Sequence, residues 1–284
     1  MVNLNDMVSN NGEIIPSRIV SSSITSTASN HGAGIAEINF TREVKKLPSI
    51  EEVELDPPQD VCPPDERIKV SETTKFPWRS ICRLIITRED GLVAVGTGWF
   101  IGKNTIATAG HCVYSDDLKK WHKSIIVVPG LDHDKEPFGN FKSTEFWSVK
   151  GWTENGDKEY DYGAILLDND LGEKIGYFGL RTDPDSLLQN KTIVNSGYPT
   201  DRDDVLVDTQ WKMSGTIKAD DLTERKIQYL IDTHGGNSGG PLWLEDGLYQ
   251  AICIHAYGGC PNSGTRINRE VFNNLMEWIS IGDR

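Results

Sequence analysis

From Val70 onwards, the chain alternates strand-length apolar runs with short polar turns such as Asp90-Gly91. Many short strands without intervening helical patterns favour an all-β barrel or sandwich. A looser stretch over 172–190 interrupts the series, so we predict two successive β-domains, over 61–185 and 186–284. The runs predicted as strands are 81–86, 92–95, 97–101, 105–108, 124–128 and 163–167 in the first domain, and 191–194, 210–213, 227–231, 242–244 and 249–254 in the second.

The pattern changes to a helical one at the C-terminal end of the chain. Asn268 is a good N-cap residue, and the apolar positions that follow it recur at helical spacing until Gly282. We predict an α-helix here that packs on the second β-domain. Its apolar face comprises Val271, Phe272, Leu275, Trp278 and Ile279.

Residues 1–60 have a different texture from the rest of the chain. Residues 21–27 form a Ser/Thr-rich polar tract, and residues 51–58 are acidic and interrupted by prolines. Such composition is typical of segments that cannot bury enough apolar surface to fold on their own. We predict a poorly structured N-terminal extension, which serves either as a propeptide or as a tail without a role.

Composition and charge narrow the class of protein. With 284 residues, 37% of them apolar, the chain can bury one large or two small cores, as a globular enzyme does. Its 42 acidic and 29 basic residues give a net charge of −13, which repels phosphate backbones and anionic membrane surfaces. No apolar run reaches the length of about 18 residues that a membrane-spanning helix needs. We therefore expect neither a nucleic-acid nor a membrane partner.

The cysteines do not form the framework of a disulfide-rich fold. There are five, an odd number at irregular spacings, so at least one has no intrachain partner. The nearest pair in the second domain, Cys253 and Cys260, is the one we expect to be bonded. No cysteine has the Cys-x-x-Cys spacing of a zinc site, and no metal site is predicted.

Candidate chemistry lies in the glycine-dense loop 233–241, where Ser238 is the hydroxyl at the centre of Gly-Gly-Asn-Ser-Gly-Gly-Pro. A serine becomes a nucleophile when a histidine takes its proton and a carboxylate holds that histidine in one tautomer. His111 follows an apolar strand, and Asp161 precedes another. Each segment has a plainer interpretation: a glycine-rich hairpin loop, a packing histidine and a turn-forming aspartate. His31, His122, His133 and His234 have no comparable context, and we assign them no role.

Three segments in one order carry a family resemblance: Thr-Ala-Gly-His-Cys (108–112), Asp-Tyr-Gly-Ala-Ile (161–165) and Gly-Asn-Ser-Gly-Gly-Pro (236–241). They resemble the trypsin-like, chymotrypsin-fold serine proteases. Within that superfamily, 70–74, 197–199, 209–211 and 264–272 look most like the bacterial glutamyl endopeptidases, and the resemblance spans about 65–280.

The resemblance implies two six-stranded antiparallel β-barrels, with His111 and Asp161 on the first barrel and Ser238 on the second. It also implies an oxyanion hole made by the N–H groups of Gly236 and Ser238. It further implies protein or peptide substrates, no cofactor, a monomer and a secreted enzyme made as a zymogen. The start of this sequence shows no basic, apolar signal segment, so export is expected from the resemblance alone.

Specificity and activation follow from the same resemblance. Thr233 and His255 match the substrate pocket of the glutamyl endopeptidases and imply cleavage after Glu or Asp; the alternative is that His255 is only a buried strand residue. Asn237 replaces the aspartate by which trypsin pairs with its new N-terminus, so activation is expected to differ, with a terminus released near 60–61. Gly96 stands where several relatives have a cysteine, which would leave Cys112 unpaired.

Other classes of function stay open at this point. A catalytically silent binding module on the protease fold would need the same segments without activity. A trypsin-like protease could also have a preference for residues other than acidic ones. A serine esterase is disfavoured because the Gly-x-Ser-x-Gly elbow is missing.

Overall fold

The structure, a computed structural model, describes residues 3–18, 24–32, 52–53, 64–201 and 209–284. Its regular elements are mainly short strands, as the sequence pattern predicts. The strands are β1 Met7–Ser9, β2 Ile14–Ile15, β3 Glu52–Val53, β4 Ile68–Lys69, β5 Ile81–Thr87, β6 Val93–Phe100, β7 Thr105–Thr108, β8 Tyr114–Ser115, β9 Lys120–Trp121, β10 Ser124–Pro129, β11 Phe141–Ser143, β12 Glu145–Val149, β13 Gly163–Leu166, β14 Gly179–Leu180, β15 Thr192–Gly197, β16 Trp211–Thr216, β17 Lys226–Tyr229, β18 Pro241–Leu244, β19 Gln250–Tyr257 and β20 Asn262–Arg266. The helices are α1 Lys150–Thr153, α2 Leu171–Ile175, α3 Asp185–Leu188 and α4 Arg269–Gly282.

Two large sheets organise these strands. Within the described residues, the first has ten strands in the order β11-β10-β5-β6-β7-β13-β12-β1-β2, with β3 beside β6, and the second has eight in the order β17-β20-β19-β18-β15-β16-β4, with β14 beside β19. Pairing is antiparallel except at β3 and β14. The predicted all-β class with two antiparallel units and a C-terminal helix is confirmed.

Glycines inside β6 mark close contacts rather than a break in the strand. The sequence pattern predicts two runs around Gly96, whereas the structure has one continuous strand from Val93 to Phe100. A Cβ on Gly96 would lie 2.9 Å from Cys112 Sγ, and one on Gly98 would lie 2.8 Å from Ile106 Cγ2. Both distances are too short for a side chain, so glycine is required where β6 faces its neighbours.

The C-terminal helix α4 forms as predicted, with the Asn268 side chain accepting from Val271 N–H as an N-cap. Its predicted position on the second domain is wrong, because it packs on β7 and β13 of the first sheet. Trp278 packs against Tyr162 in a tilted arrangement with ring centroids 5.7 Å apart, and Asn274 Nδ2 donates to the Tyr162 hydroxyl at 2.8 Å. The helical period correctly predicts a buried face, but nothing in it says which sheet supplies the partner.

Parts of the N-terminal extension join the body of the protein. Residues 7–9 form the strand β1, which pairs with β12 in the register Met7↔Val149, and β2 completes a hairpin with β1. Further along, Thr27 N–H donates to Leu180 O at 2.8 Å. The sequence did not predict these strands, since β1 and β2 are too short to show a period. The predicted cleavage position 60–61 lies outside the described residues.

The cysteine pairing expected from the sequence is wrong. Cys253 is a free thiol, fully buried in the core of the second sheet, whereas Cys260 is disulfide-bonded. Burial raises the pKa of the Cys253 thiol well above its ordinary value, so it behaves as an apolar core side chain. Cys112 is also free and buried, as the glycine at position 96 led us to expect.

Candidate active site

His111 and Asp161 meet at the end of two paired strands. β7 and β13 are antiparallel neighbours with Gly163 opposite Thr108, so the residue shortly after β7 lies close to the one shortly before β13. His111 Nδ1 is 2.7 Å from Asp161 Oδ2, and His111 N–H donates to Asp161 Oδ1 at 2.9 Å. The carboxylate therefore holds both the imidazole ring and its backbone.

The Asp161 carboxylate is fully buried, yet it stays ionised. Burial acts to raise its pKa, but the charge of His111, the hydrogen bonds from His111 and the nearby Tyr257 hydroxyl together bring the pKa below its ordinary value. The negative charge of Asp161 beside Nδ1 keeps the proton of neutral His111 on that nitrogen. Nε2 is then the basic atom of the ring.

The serine loop reaches this pair from the second sheet. Gly236 and Gly239 adopt positive φ angles of 92° and 91°, which shape the tight turn around Ser238. Ser238 is buried, with 1% of its surface exposed. Ser238 O accepts from Thr97 N–H at 2.8 Å and from Cys112 Sγ, the residue after His111, at 3.6 Å. The structure thus brings all three predicted catalytic residues to one junction between the sheets.

Thr97, which the sequence pattern did not single out, ties the serine loop to the first sheet. Its hydroxyl donates to Gly236 O at 2.7 Å and accepts from Tyr198 N–H at 3.2 Å. A short polar side chain inside a strand carries no signal of this role, because the role comes from a contact across 139 residues of sequence. One buried hydroxyl therefore fixes the conformation of the loop that precedes Ser238.

The predicted oxyanion-hole donor Gly236 has a suitable environment. Its carbonyl is bound by Thr97, and among the described residues no backbone or side-chain acceptor takes its N–H. A buried donor kept unpaired costs free energy and is a recognised feature of sites that bind an anion. The N–H group is thus available to a developing negative charge at Ser238.

The predicted pocket residues Thr233 and His255 come from the start of the serine loop and from β19, which is bonded to that loop. His255, on β19, is fully buried, and its Nδ1 lies 2.5 Å from the Tyr229 hydroxyl of β17. Its Nε2 has no hydrogen-bond partner among the described residues. Thr233 Oγ1 donates to Asn262 Oδ1 at 2.9 Å.

Burial lowers the pKa of His255 to about 3, with a further lowering by the charge of His111 that Asp161 partly offsets. Burial also raises the pKa of Tyr229 well above its ordinary value, so the tyrosine keeps its proton. A neutral imidazole that accepts from Tyr229 at Nδ1 carries its own proton at Nε2. In the tautomer that accepts from Tyr229, His255 therefore presents one N–H donor that no described residue uses.

A second buried histidine, to which the sequence led us to assign no role, supports the candidate base. His122 Nε2 lies 3.1 Å from His111 O, so its N–H can donate to the backbone of His111. Burial lowers the pKa of His122 to about 4, with the backbone hydrogen bond opposing the shift. His122 is thus a neutral ring that anchors the turn holding His111. Sequence reasoning misses it because its importance comes from a tertiary contact.

Asn237, the residue before Ser238, is buried without an ion pair. Its residue is 3% exposed, and its Oδ1 has no hydrogen-bond partner among the described residues.

Two features are absent from the described residues. No group of three or more His, Cys, Asp or Glu side chains there is placed to hold a metal ion. Across the same residues, no helix is long and apolar enough to cross a membrane.

Two antiparallel sheets meet at this site. The first carries an imidazole–carboxylate pair, and the second carries a glycine-flanked serine. This arrangement defines the class of chymotrypsin-fold serine endopeptidases. A family model described as Trypsin matches residues 25–279, and the chain belongs to this family.

The relatives place it nearer to one branch. It is 35% identical over 257 residues to the glutamyl endopeptidase of Bacillus licheniformis, covering 86% of this chain and 77% of the relative. It is 38% identical over 227 residues to a Bacillus subtilis protein named extracellular metalloprotease, covering 78% of this chain and 71% of that one.

A solved structure of a Glu endopeptidase in complex with MPD matches with a TM-score of 0.68 and 30% identity, covering 79% of this chain and all of that one. A protease from Arthrobacter nicotinovorans matches at 19% identity with a TM-score of 0.54, a likeness of fold alone. The protein is a trypsin-like serine endopeptidase related to the glutamyl endopeptidases, and proteins or peptides are its substrates.

Proposed function

We propose that this serine endopeptidase cleaves after Glu, and more weakly after Asp, through a triad of Ser238, His111 and Asp161. Ser238 Oγ attacks the peptide carbonyl, His111 Nε2 takes its proton and returns it to the leaving amine, and Asp161 stabilises the imidazolium. The bond between the carbonyl carbon and the amine breaks, and water then hydrolyses the acyl-enzyme by the same steps. The contacts of Asp161 with both the ring and the backbone of His111 support these roles.

The oxyanion hole in this proposal consists of the N–H groups of Gly236 and Ser238. Charge develops on the carbonyl oxygen as Ser238 attacks, and donors fixed in advance stabilise it without reorganisation. Loss of one such donor typically lowers the rate by about 10²–10³-fold. The hydroxyl of Thr97 supports this arrangement by fixing the Gly236 carbonyl, and with it the peptide plane next to the donor.

The unpartnered Nε2 of His255 is the observation that carries the proposed acidic specificity. A buried N–H donor at Nε2 suits a carboxylate and offers no acceptor to a cationic side chain. The Thr233 hydroxyl gives its proton to Asn262 Oδ1, so His255 is the donor on which the proposal depends. His255 is neutral, so recognition of the carboxylate depends on hydrogen bonding rather than on a fixed positive charge in the ring. Glu reaches further into such a pocket than Asp, which is why we place it first.

Activation as a zymogen is the second part of the proposal. The described chain resumes at residue 64, and Glu66 N–H donates to Asp232 Oδ2, next to the pocket residue Thr233, at 2.9 Å. A chain end released at 60–61 would thus start a few residues from the pocket, where its ammonium group could assist in binding an acidic side chain. The Bacillus subtilis relative is named an extracellular protein, and we propose that this one is also exported.

The test is a comparison of peptides that differ only in Glu, Gln, Asp or Lys at one position. We expect kcat/KM for Glu to exceed that for Gln by at least about tenfold, because a buried donor discriminates strongly between an anion and its neutral isostere. Equal rates for Glu and Gln would refute the acidic pocket. The N-terminus of the active enzyme, determined by sequencing, should lie near position 61, and maturation should stop in Ser238→Ala if processing is autocatalytic.

Matched variants separate this proposal from a silent module and from metal-dependent chemistry. Ser238→Ala should abolish both hydrolysis and labelling by an organophosphonate, while Ser186→Ala, at an exposed serine of α3, should change neither. A chelator should leave the activity intact. Loss of activity in chelator with unchanged organophosphonate labelling would contradict the serine mechanism.

A further inference from the structure

Two lysine side chains converge on one aromatic ring beside the candidate active site. Lys158 Nζ lies 4.9 Å from the centre of the Tyr257 ring, and Lys226 Nζ lies 5.7 Å from it. The three residues come from separate elements: the turn before Asp161, the start of β17 and the end of β19. Neither ammonium has an ion-pair partner among the described residues. We call these three residues the lysine–tyrosine cluster.

The cluster adjoins the reacting groups. The Tyr257 ring centre is 6.1 Å from that of His111, and its hydroxyl helps to keep Asp161 ionised. Tyr257 is also two residues from the pocket residue His255 on the same strand, with a register shift between them. A peptide whose scissile bond lies at Ser238 therefore passes within reach of the two ammonium groups.

The direction of β19 shows which side of the cut the cluster faces. β18 pairs with β19 up to Ile254, and backbone hydrogen bonds to Gly239 and Gly240 continue this edge to His255. A peptide that adds to this edge antiparallel runs opposite to β19, so its C-terminal part lies at His255 and its earlier residues lie at Tyr257. The cluster thus faces residues on the acyl side of the scissile bond.

Charge then specifies the side chain that fits. The protein carries a net charge of −13, so an acidic peptide is repelled at long range, and unpaired ammonium groups at the cleft are a local exception. Of the nearby acids, Glu270 pairs with Arg225. Asp157 accepts from Glu159 N–H, a contact that fixes its side chain but leaves its charge in place. Both Nζ atoms lie at the Tyr257 ring, so a carboxylate bound beside that ring interacts with both charges.

We propose that the lysine–tyrosine cluster is an acyl-side subsite for a carboxylate, so that the preferred substrates carry a second Asp or Glu two to four residues before the cleaved one. This inference rests on the proposed function, since it takes Ser238 as the site of cleavage. Exposed ion pairs each contribute about 1.4- to 5-fold in affinity, so two lysines together give about 2- to 25-fold.

The experiment uses peptides with Glu at the cleaved residue and Asp or Asn at each of the four preceding and three following positions. At low salt, we expect Asp to be favoured over Asn in kcat/KM by about 3- to 10-fold at one position two to four residues before the cut. The preference should shrink at 1 M salt, where screening acts over about 3 Å. It should also disappear in the double variant Lys158→Met/Lys226→Met and persist in Lys142→Met, a control at an exposed lysine of β11.

The proposal would be overturned by equal rates for Asp and Asn at these positions, or by a preference that survives in the double variant. A preference confined to positions after the cut would overturn its acyl-side placement. Failure of the proposed acidic pocket has a different signature: Glu and Gln at the cleaved residue would then be equivalent in the peptide that has Asn elsewhere. In that case the Asp and Asn series is repeated around whichever residue the enzyme does cleave, so the two results are read separately.

Discussion

Replacing Tyr229 by Phe removes a single oxygen from the proposed specificity pocket. The Tyr229 hydroxyl lies 2.5 Å from His255 Nδ1, and both residues are buried. Without it, Nδ1 loses its donor, and the Nδ1–H tautomer, which has no proton at Nε2, competes with the useful one. A buried polar atom left unpaired costs about 1–3 kcal/mol, so kcat/KM for a Glu substrate should fall by about 5- to 150-fold.

The assay is the ratio of kcat/KM for matched Glu and Gln peptides, which should fall in Tyr229→Phe because the carboxylate loses its oriented donor. Tyr162→Phe is the matched control: it also deletes a fully buried hydroxyl, one bound by Asn274 of α4 rather than by the pocket. That variant should unfold more readily while keeping the wild-type ratio. An unchanged Glu/Gln ratio in Tyr229→Phe, or an equal loss for both peptides, would refute the proposed role of the tautomer.

Two further predictions follow from the buried hydrogen bonds around Ser238. Thr97→Val keeps the shape of the side chain but removes the hydroxyl that donates to the Gly236 carbonyl. We expect a free energy of unfolding in urea that is lower by about 1–3 kcal/mol, and a kcat that is lower by about 10- to 100-fold with KM little changed. Thr97→Ser should recover most of the stability and most of the activity. His122 and His255 have pKa values lowered by burial to about 4 and about 3, against an ordinary 6.5. The unfolded chain therefore binds their protons first as pH falls, and folding stability is lost below the unfolded pKa of 6.5. Each histidine should lower the free energy of unfolding by about 2 kcal/mol between pH 7.5 and pH 5. Urea unfolding of the inactive Ser238→Ala protein at both pH values should show this loss, and His122→Gln in that background should reduce it by about half; an identical pH dependence with and without His122 would contradict the assignment.

Strand positions could be predicted from the sequence where burial imposes a clear pattern. The run 105–108 is β7, and the runs at 81–86 and 242–244 fall within one residue of β5 and β18. The pattern failed where strands are short or polar: β20 reads Asn-Ser-Gly-Thr-Arg, with neither an apolar run nor β-branched alternation. Such a strand forms because its neighbours in the sheet supply hydrogen-bond partners, and that information does not lie within the segment.

The candidate catalytic residues could be predicted because local chemistry marks them. Glycines must surround Ser238 for its turn to form, and small residues must precede His111: a Cβ on Gly110 would lie 2.9 Å from Trp152 Cδ1 and 3.0 Å from Asp161 Oδ1. Requirements of this kind leave a trace in the neighbouring residues. Thr97 and Tyr229 leave none, because their side-chain hydroxyls act through hydrogen bonds to residues outside their own segments.

His255 and His122 show why residue type alone does not predict role. Both rings are buried, and burial keeps both neutral at pH 7. His122 donates to a backbone carbonyl, which makes it a structural anchor, whereas we propose that His255 accepts from Tyr229 and keeps its Nε2–H for the substrate carboxylate. A neutral donor can orient an acidic side chain but supplies no net charge to attract one to a protein with a charge of −13. Attraction must therefore come from cations around the pocket, which is the role that we assign to Lys158, Lys226 and the chain end released near position 61.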